Sequence, residues 1–220
     1  MNIAKFIDHT LLKPDATRAD IVRLCEEAVE FGFFSVCVNS GWVSEASAAL
    51  QGTGVLVAAV TGFPLGAMET RAKAFETCRA AELGAAEIDT VLAVGRLKSG
   101  DCSGVLQDLR EIVRAAGFAR VKVILEACLL DDGEKRTACS LALDAGAAFV
   151  KTSTGFSSGG ATIEDVRLMT KAVAGKCLVK ASGGIRDAAT AKAMLDAGAL
   201  RLGTSNGIAI LREYKRIAAA

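Results

Sequence analysis

The chain alternates two kinds of apolar pattern. Short runs in which nearly every residue is apolar, such as VLVAA and VKVILEA, are separated by longer segments such as DIVRLCEEAVEFG, where apolar residues recur at helical spacing. The first pattern predicts strands buried on both faces, as in a parallel sheet covered by helices. The second predicts amphipathic helices, each with one face to lay against a sheet. A recurring phrase joins them, a helix-ending glycine followed by a strand: FGFFSVCVNS, LGAAEIDTVLAVG, AGFARVKVILEA, AGAAFVKTSTG, AGKCLVKASGG and AGALRLGTSNG. The glycines are Gly32, Gly84, Gly117, Gly146, Gly175 and Gly198, and the later intervals approach the roughly 30 residues of a βαβ unit.

The wider gap between Gly32 and Gly84 holds another unit, the helix SGWVSEASAAL followed by the strand VLVAAVTGFP, and FIDHTLL supplies a strand before the first full helix. Helix starts carry local signals as well: Thr17 with Asp20, and Thr162 with Asp165, are spaced as capping boxes. Eight strand–helix units predict an α/β fold, a parallel (β/α)8 TIM barrel forming a single domain over residues 1–220. An open doubly wound sheet is the alternative, because periodicity counts units without showing closure. No GxGxxG opens a helix after the first strand, which removes the usual dinucleotide-binding reading.

Composition narrows the function classes. At 220 residues and 51% hydrophobic, the chain can bury one sizeable core. Lys plus Arg (26) nearly balances Asp plus Glu (25), so net charge implies no basic face for nucleic acid. The seven cysteines are an odd number scattered through apolar segments, without the spacing of a zinc site or a disulfide framework, and this usage reads as reduced and cytosolic. The N-terminal MNIAKFIDHT lacks the features of a secretory signal, and no stretch approaches 18 uninterrupted apolar residues, so no membrane partner is expected. A homodimer is kept open as the assembly; no residue pattern decides it.

In a barrel of this type the active site forms at the C-terminal ends of the strands. Strand one brings Asp8 and Thr10 there; strand two, Cys37 and Asn39; strand four, Asp89; strand five, Lys122 and Glu126; strand six, Lys151; strand seven, Lys180. Three lysines inside apolar strands need a reason, since a buried ammonium must be paired or change its pKa. Taken singly, each is most simply a salt-bridged or snorkelling lysine.

Together they suggest more. Lys151 and Lys180 hold the same place in adjacent repeats, VKTSTG and VKASGG, and neighbouring strands lie about 4.8 Å apart. Two ammonium groups about 6 Å apart repel by roughly 2–3 kcal/mol at an effective dielectric near 20, or about two pKa units. One would then be a practical nucleophile toward a carbonyl. Asp89 is the best-placed carboxylate to shuttle protons during imine chemistry, against the plainer reading of an aspartate capping a strand end. His9 is expected to be structural. The loops STGFSSGGAT, SGGIRD and GTSNG, the last running into a helix, offer backbone N–H groups to an anion, with Gly155, Gly183, Gly184, Ser205 and Asn206 as phosphate candidates. Simple tight turns are the alternative.

With these residues in view the chain resembles the deoxyribose-phosphate aldolase family over essentially its whole length, through DHTLLKPDAT, FSVCVN, VTGFPLG, EIDTVLAVG, VKVILEACLL, VKTSTGFSSGGAT, VKASGGIRD and RLGTSNG. The resemblance implies a class I aldolase, without metal or cofactor, that reversibly cleaves 2-deoxy-D-ribose 5-phosphate to acetaldehyde and D-glyceraldehyde 3-phosphate. It implies Lys151 as the Schiff-base lysine, Lys180 as the lysine that perturbs it and Asp89 as proton donor and acceptor. It further implies Lys122 in the polar network and Asp8, Thr10 and Cys37 at the border of the substrate. Three departures stand out: Phe156 where some longer members carry a lysine, Asn206 where a second serine is usual, and the ending RIAAA where those longer members end in tyrosine.

Two other functions share parts of this pattern. A phosphosugar isomerase or synthase would keep the phosphate loops but place a catalytic Glu or His at a strand end; Glu126 is the one candidate, and its neighbours in ILEACLL favour pairing with a lysine instead. A non-catalytic sugar-phosphate sensor would keep the glycine loops but would not need two buried lysines facing an aspartate.

Overall fold

Eight short strands follow one another around a closed, all-parallel barrel in chain order: β1 (Ile7–Leu11), β2 (Ser35–Asn39), β3 (Leu56–Thr61), β4 (Glu87–Val91), β5 (Arg120–Ile124), β6 (Phe149–Lys151), β7 (Leu178–Ser182) and β8 (Arg201–Thr204). Closure is made by β8 pairing with β1 at Ile7–Leu202, Asp8–Gly203 and His9–Thr204. The structure, a computed structural model, describes residues 2–218, so the last two alanines of RIAAA lie outside the described residues. The closed sheet excludes the doubly wound alternative.

Helices fill the connections: α1 (Arg18–Phe31), α2 (Val43–Ala49), α3 (Thr70–Glu82), α4 (Val94–Lys98), α5 (Cys102–Ala115), α6 (Asp132–Asp144), α7 (Ile163–Val173), α8 (Ala188–Asp196) and α9 (Gly207–Ala218). The short α4 follows the end of β4. Helix α1 starts at Thr17 with a complete capping box and stops at Gly32, which takes the left-handed conformation at φ +67°. At α7 the expected box is only half formed. Thr162 accepts the Asp165 N–H, but the Asp165 carboxylate turns to Lys135 Nζ at 2.6 Å instead of back to the cap.

Alternation along the strands separates two interiors. Val36, Ile88, Val123, Val150 and Val179 point outward into the main apolar core beneath the helices. The alternate residues point into the barrel, where small apolar side chains such as Ala58 and Val60 share the space with a set of buried charges. No helix among the described residues is long and apolar enough to cross a membrane. All seven cysteines are free thiols.

One buried ion pair in the outer layer bears on where β4 ends. Lys73 of α3, fully buried, donates to Asp108 Oδ2 of α5 at 2.8 Å and to the Val91 carbonyl at 3.0 Å, while Thr70 Oγ1 donates to Asp108 Oδ1 at 2.9 Å. This ties two helices to the end of the strand that carries Asp89. Removing one member strands a charge in an apolar layer, so Asp108→Ala is expected to lower the unfolding free energy by about 3–5 kcal/mol. The paired change Lys73→Met with Asp108→Leu should recover most of that loss, as measured by urea denaturation.

Candidate active site

Strand register alone brings the charged side chains together. Asp89 stands opposite Lys122, Lys151 opposite Lys180, and Lys180 opposite Arg201 across adjacent strands. Because each points inward, they meet on the barrel axis. Lys122 Nζ donates to Asp89 Oδ1 at 2.7 Å, while Lys151 Nζ and Lys180 Nζ donate to Asp89 Oδ2 at 2.9 and 2.8 Å. Lys180 also pairs with Asp8 Oδ2. Asp8 Oδ1 accepts from Ser35 Oγ at 2.7 Å and Arg201 at 2.9 Å. Glu87 closes the far side, 2.7 Å from Lys122 and 2.9 Å from Arg201. Gly203 makes room for this, since a Cβ there would lie 3.0 Å from Lys180 Cε.

The cluster therefore holds four buried cations, Lys122, Lys151, Lys180 and Arg201, against three buried carboxylates, Asp8, Glu87 and Asp89. Burial pushes the Asp8 carboxyl up, but Lys180, Lys122 and Arg201 outweigh it and hold it at about 2. The same contest at Asp89, burial against Lys122, Lys151 and Lys180, leaves it well below the usual carboxylate range. Burial disfavours the Lys180 ammonium, yet Asp8 and Asp89 raise its pKa above the ordinary lysine value. Lys180 is thus a fixed positive charge. The sequence suggests two ammonium groups repelling across open space; the structure instead sets one carboxylate oxygen between them.

Above the cluster opens a cavity of about 270 Å³, lined by Thr10 from β1, Lys151 from β6, and the loops after β6, β7 and β8. Gly155, Gly183, Gly184, Ser205 and Asn206 all border it. Asn206 immediately precedes α9 and its carbonyl accepts the Ile210 N–H, so the positive end of a twelve-residue helix faces the same wall. A hydrogen bond from the Ala161 N–H to the Gly183 carbonyl, 3.0 Å, joins the β6 and β7 loops into one rim. Lys151 is the one lysine of the cluster that reaches this cavity, with 4% of its side chain exposed against none for Lys122 and Lys180.

Other expected residues sit elsewhere. Asp8, Cys37 and Lys122 are fully buried and do not line the cavity: Asp8 and Lys122 belong to the ion cluster, and Cys37 packs with Leu12, Ala58 and Val60. Burial first, and Asp89 second, push the Cys37 thiol up to about 11. Asn39 donates to the Leu12 carbonyl at 3.2 Å, which fixes the loop after β1. Glu126 does not pair with a lysine. It lies beyond the end of β5 with φ +54°, and its carboxylate accepts the Thr154 N–H at 3.2 Å and the Thr154 hydroxyl. His9 Nε2 meets Glu27 at 2.7 Å on the outer face of β1, away from the cluster.

Four further charged groups belong to the site. Glu87 and Arg201 lie at strand starts, where no chemistry is expected, yet their long side chains reach the cluster from below. Lys13 and Arg186 lie in the loops after β1 and β7, line the cavity, and form no ion pair among the described residues. Their positions in LLKPD and SGGIRD, directly beside the motifs already singled out, are the signal that could have found them.

Comparison with known proteins identifies the family. A family profile described as DeoC/LacD family aldolase matches residues 2–214. The chain is 60% identical over 211 residues to a deoxyribose-phosphate aldolase of Geobacillus sp. (strain WCH70), covering 96% of this chain and 95% of that one. It is 56% identical over 216 residues to a deoxyribose-phosphate aldolase of Alkaliphilus oremlandii, covering 98% and 97%. Among solved structures, a tetrameric deoxyribose phosphate aldolase from Aeropyrum pernix superposes with a TM-score of 0.91 at 35% identity, over 98% of this chain and 92% of that one.

The cluster makes stability sensitive to acid. A carboxyl held at about 2 in the fold, against an ordinary value of 3.8, stabilises the folded state above pH 4 and loses that contribution as pH falls toward 2. Between pH 5 and pH 2 the unfolding free energy should therefore drop by about 2 kcal/mol more in the native protein than in Asp8→Asn. Denaturant titrations at four or five pH values check this; equal slopes would remove Asp8 from the acid response.

Proposed function

The chain belongs to the DeoC/LacD family of aldolases, and from that premise we propose that Lys151 is the Schiff-base nucleophile of its deoxyribose-phosphate aldolase reaction. The observation that carries the reading is the reach of Lys151: it is bound into the charged cluster at its nitrogen and opens onto the cavity. With four cations against three carboxylates, release of one proton brings the cluster to neutrality. Lys151 is the member whose nitrogen can then meet a substrate carbonyl.

The amine attacks C1 of the open-chain sugar, and the carbinolamine loses water to give a protonated imine. A base removes the proton of the C3 hydroxyl, the C2–C3 bond breaks, and its electron pair flows into the imine. D-glyceraldehyde 3-phosphate leaves with C3 as its new carbonyl. The enamine takes a proton at C2, and water releases acetaldehyde and the free lysine. Asp89, ionised and 2.9 Å from Lys151 Nζ, is placed to accept and return protons, directly or through water. Lys180 stays charged throughout and keeps Asp89 oriented.

The phosphate is held by the N–H groups at Gly155, Gly183 and Gly184, by Ser205 and Asn206, and by the positive end of α9. Arg186 and Lys13 supply charge from the rim, in the place of the lysine that Phe156 replaces. Thr10 borders the sugar from the opposite side. An isomerase using Glu126 is disfavoured because that carboxylate is occupied by Thr154. A sensor is disfavoured by the cost of burying seven charges that binding alone does not need.

Incubation with acetaldehyde and borohydride should leave a reduced two-carbon adduct at Lys151, seen by peptide mass mapping, and Lys151→Leu should retain under one per cent of sugar phosphate cleavage. An adduct at another lysine would reassign the nucleophile.

The phosphate assignment makes a separate prediction. Ser205→Asp adds like charge beside the anion and Arg186→Gln removes a rim cation, so each should raise KM for 2-deoxyribose 5-phosphate about tenfold or more while changing cleavage of unphosphorylated 2-deoxyribose little. Equal losses on both sugars would make these loops supports of the rim rather than the anion site.

A further inference from the structure

Beside the main cavity lies a second one of about 110 Å³, separated from it by two shared residues. Thr154 and Phe156 line both spaces. On its far side the second cavity is walled by Leu65, Val91, Val94 and Leu129, with Glu126 below. Its character is apolar, in contrast to the glycine-rich, cation-flanked wall opposite. It does not suit a phosphate: the one charged side chain in its lining is Glu126, which would repel one.

The partition is weakly held. Phe156 is 53% exposed, and the one aromatic contact of its ring is an edge-on approach to Phe63, with centroids 5.2 Å apart and planes at 86°. It follows Gly155, a glycine at φ +86°, and its own N–H donates to Thr154 Oγ1 at 3.0 Å. Thr154 in turn is anchored through both its N–H and its hydroxyl to Glu126, a non-glycine residue held in the left-handed region at φ +54°. The backbone of the partition is thus fixed from below while its ring is loosely packed.

We infer that the cavity behind Phe156 is a second aldehyde subsite, taking the chain of an unphosphorylated aliphatic aldehyde, and that Phe156 sets the choice between it and the phosphorylated acceptor. This rests on the aldolase reading and extends it. In the synthetic direction the enamine carbon formed from acetaldehyde on Lys151 attacks the acceptor carbonyl carbon. A carbon–carbon bond forms, the carbonyl oxygen takes a proton, and water cleaves the imine to release a 3-hydroxyaldehyde. The phosphate cradle orients an acceptor toward the β7 and β8 loops. An aliphatic chain finds no partner there, and with the ring withdrawn it extends past Thr154 between Val94 and Leu129.

Phe156→Ala joins the two spaces. With acetaldehyde as donor, the ratio of kcat/KM for pentanal to that for D-glyceraldehyde 3-phosphate should rise at least tenfold over the native protein. A further change, Val94→Phe in the Phe156→Ala background, refills the side cavity and should return the ratio to within about twofold of native. Leu129→Phe provides the same check from another wall, should the first variant fold poorly. If the ratio does not rise, or if it stays high after the cavity is refilled, the subsite does not exist and Phe156 acts only on the phosphate wall. Native cleavage of 2-deoxyribose 5-phosphate, assayed in parallel, reports separately on the aldolase reading.

Discussion

Three ammonium groups converge on the single carboxylate of Asp89, and the barrel interior is built around that convergence. Charges removed from water are tolerated only when each finds partners at hydrogen-bonding distance. Here Asp8 and Glu87 share the excess, Arg201 bridges those two, and Ser35 satisfies a remaining oxygen of Asp8. The outcome is a connected network rather than a set of pairs. The neighbouring Lys122, Lys151 and Lys180 hold the Asp89 carboxyl well below the usual carboxylate range against the opposing effect of burial.

The apolar layer does different work. Outward-facing valines and isoleucines of the strands pack beneath the helices and supply the burial that stabilises the fold. This leaves the inward positions free to carry chemistry. The division follows from strand alternation, since residues two apart share a face. Glu87 and Asp89 both reach the interior for that reason, while Ile88 between them joins the outer core.

Access to the network is confined to one point. Lys122, Lys180, Asp8 and Asp89 are sealed by neighbouring strands, and Lys151 at the very end of the short β6 is the part that meets the cavity. Two cavities of different chemistry lie among the loops above. Glycine N–H groups, a helix N-terminus and two cations without an ion pair among the described residues border the one that Lys151 meets, and aliphatic side chains behind Phe156 line the other.

The architecture was legible in the sequence because local rules carry it. Helix-stopping glycines at positions 32, 84, 117, 146, 175 and 198 all adopt positive φ, and the apolar runs between them are the strands. The lysines of β5, β6 and β7 and the aspartate of β4 could be nominated because charge inside an apolar run is conspicuous, and the glycine loops because their motifs are local. The tertiary structure decided who touches whom. Glu87 and Arg201 enter the cluster from 114 residues apart, through barrel closure that no local pattern encodes. Glu126 faces Thr154 rather than a lysine because a left-handed turn after β5 redirects it. Asp8 and Cys37 stay off the cavity wall for different reasons: Asp8 lies two residues before Thr10 on β1, and Cys37, level with Thr10, is covered by packing against Leu12, Ala58 and Val60. Spacing along a chain determines which residues share a face; the depth at which each meets solvent or charge is set only when all eight strands close.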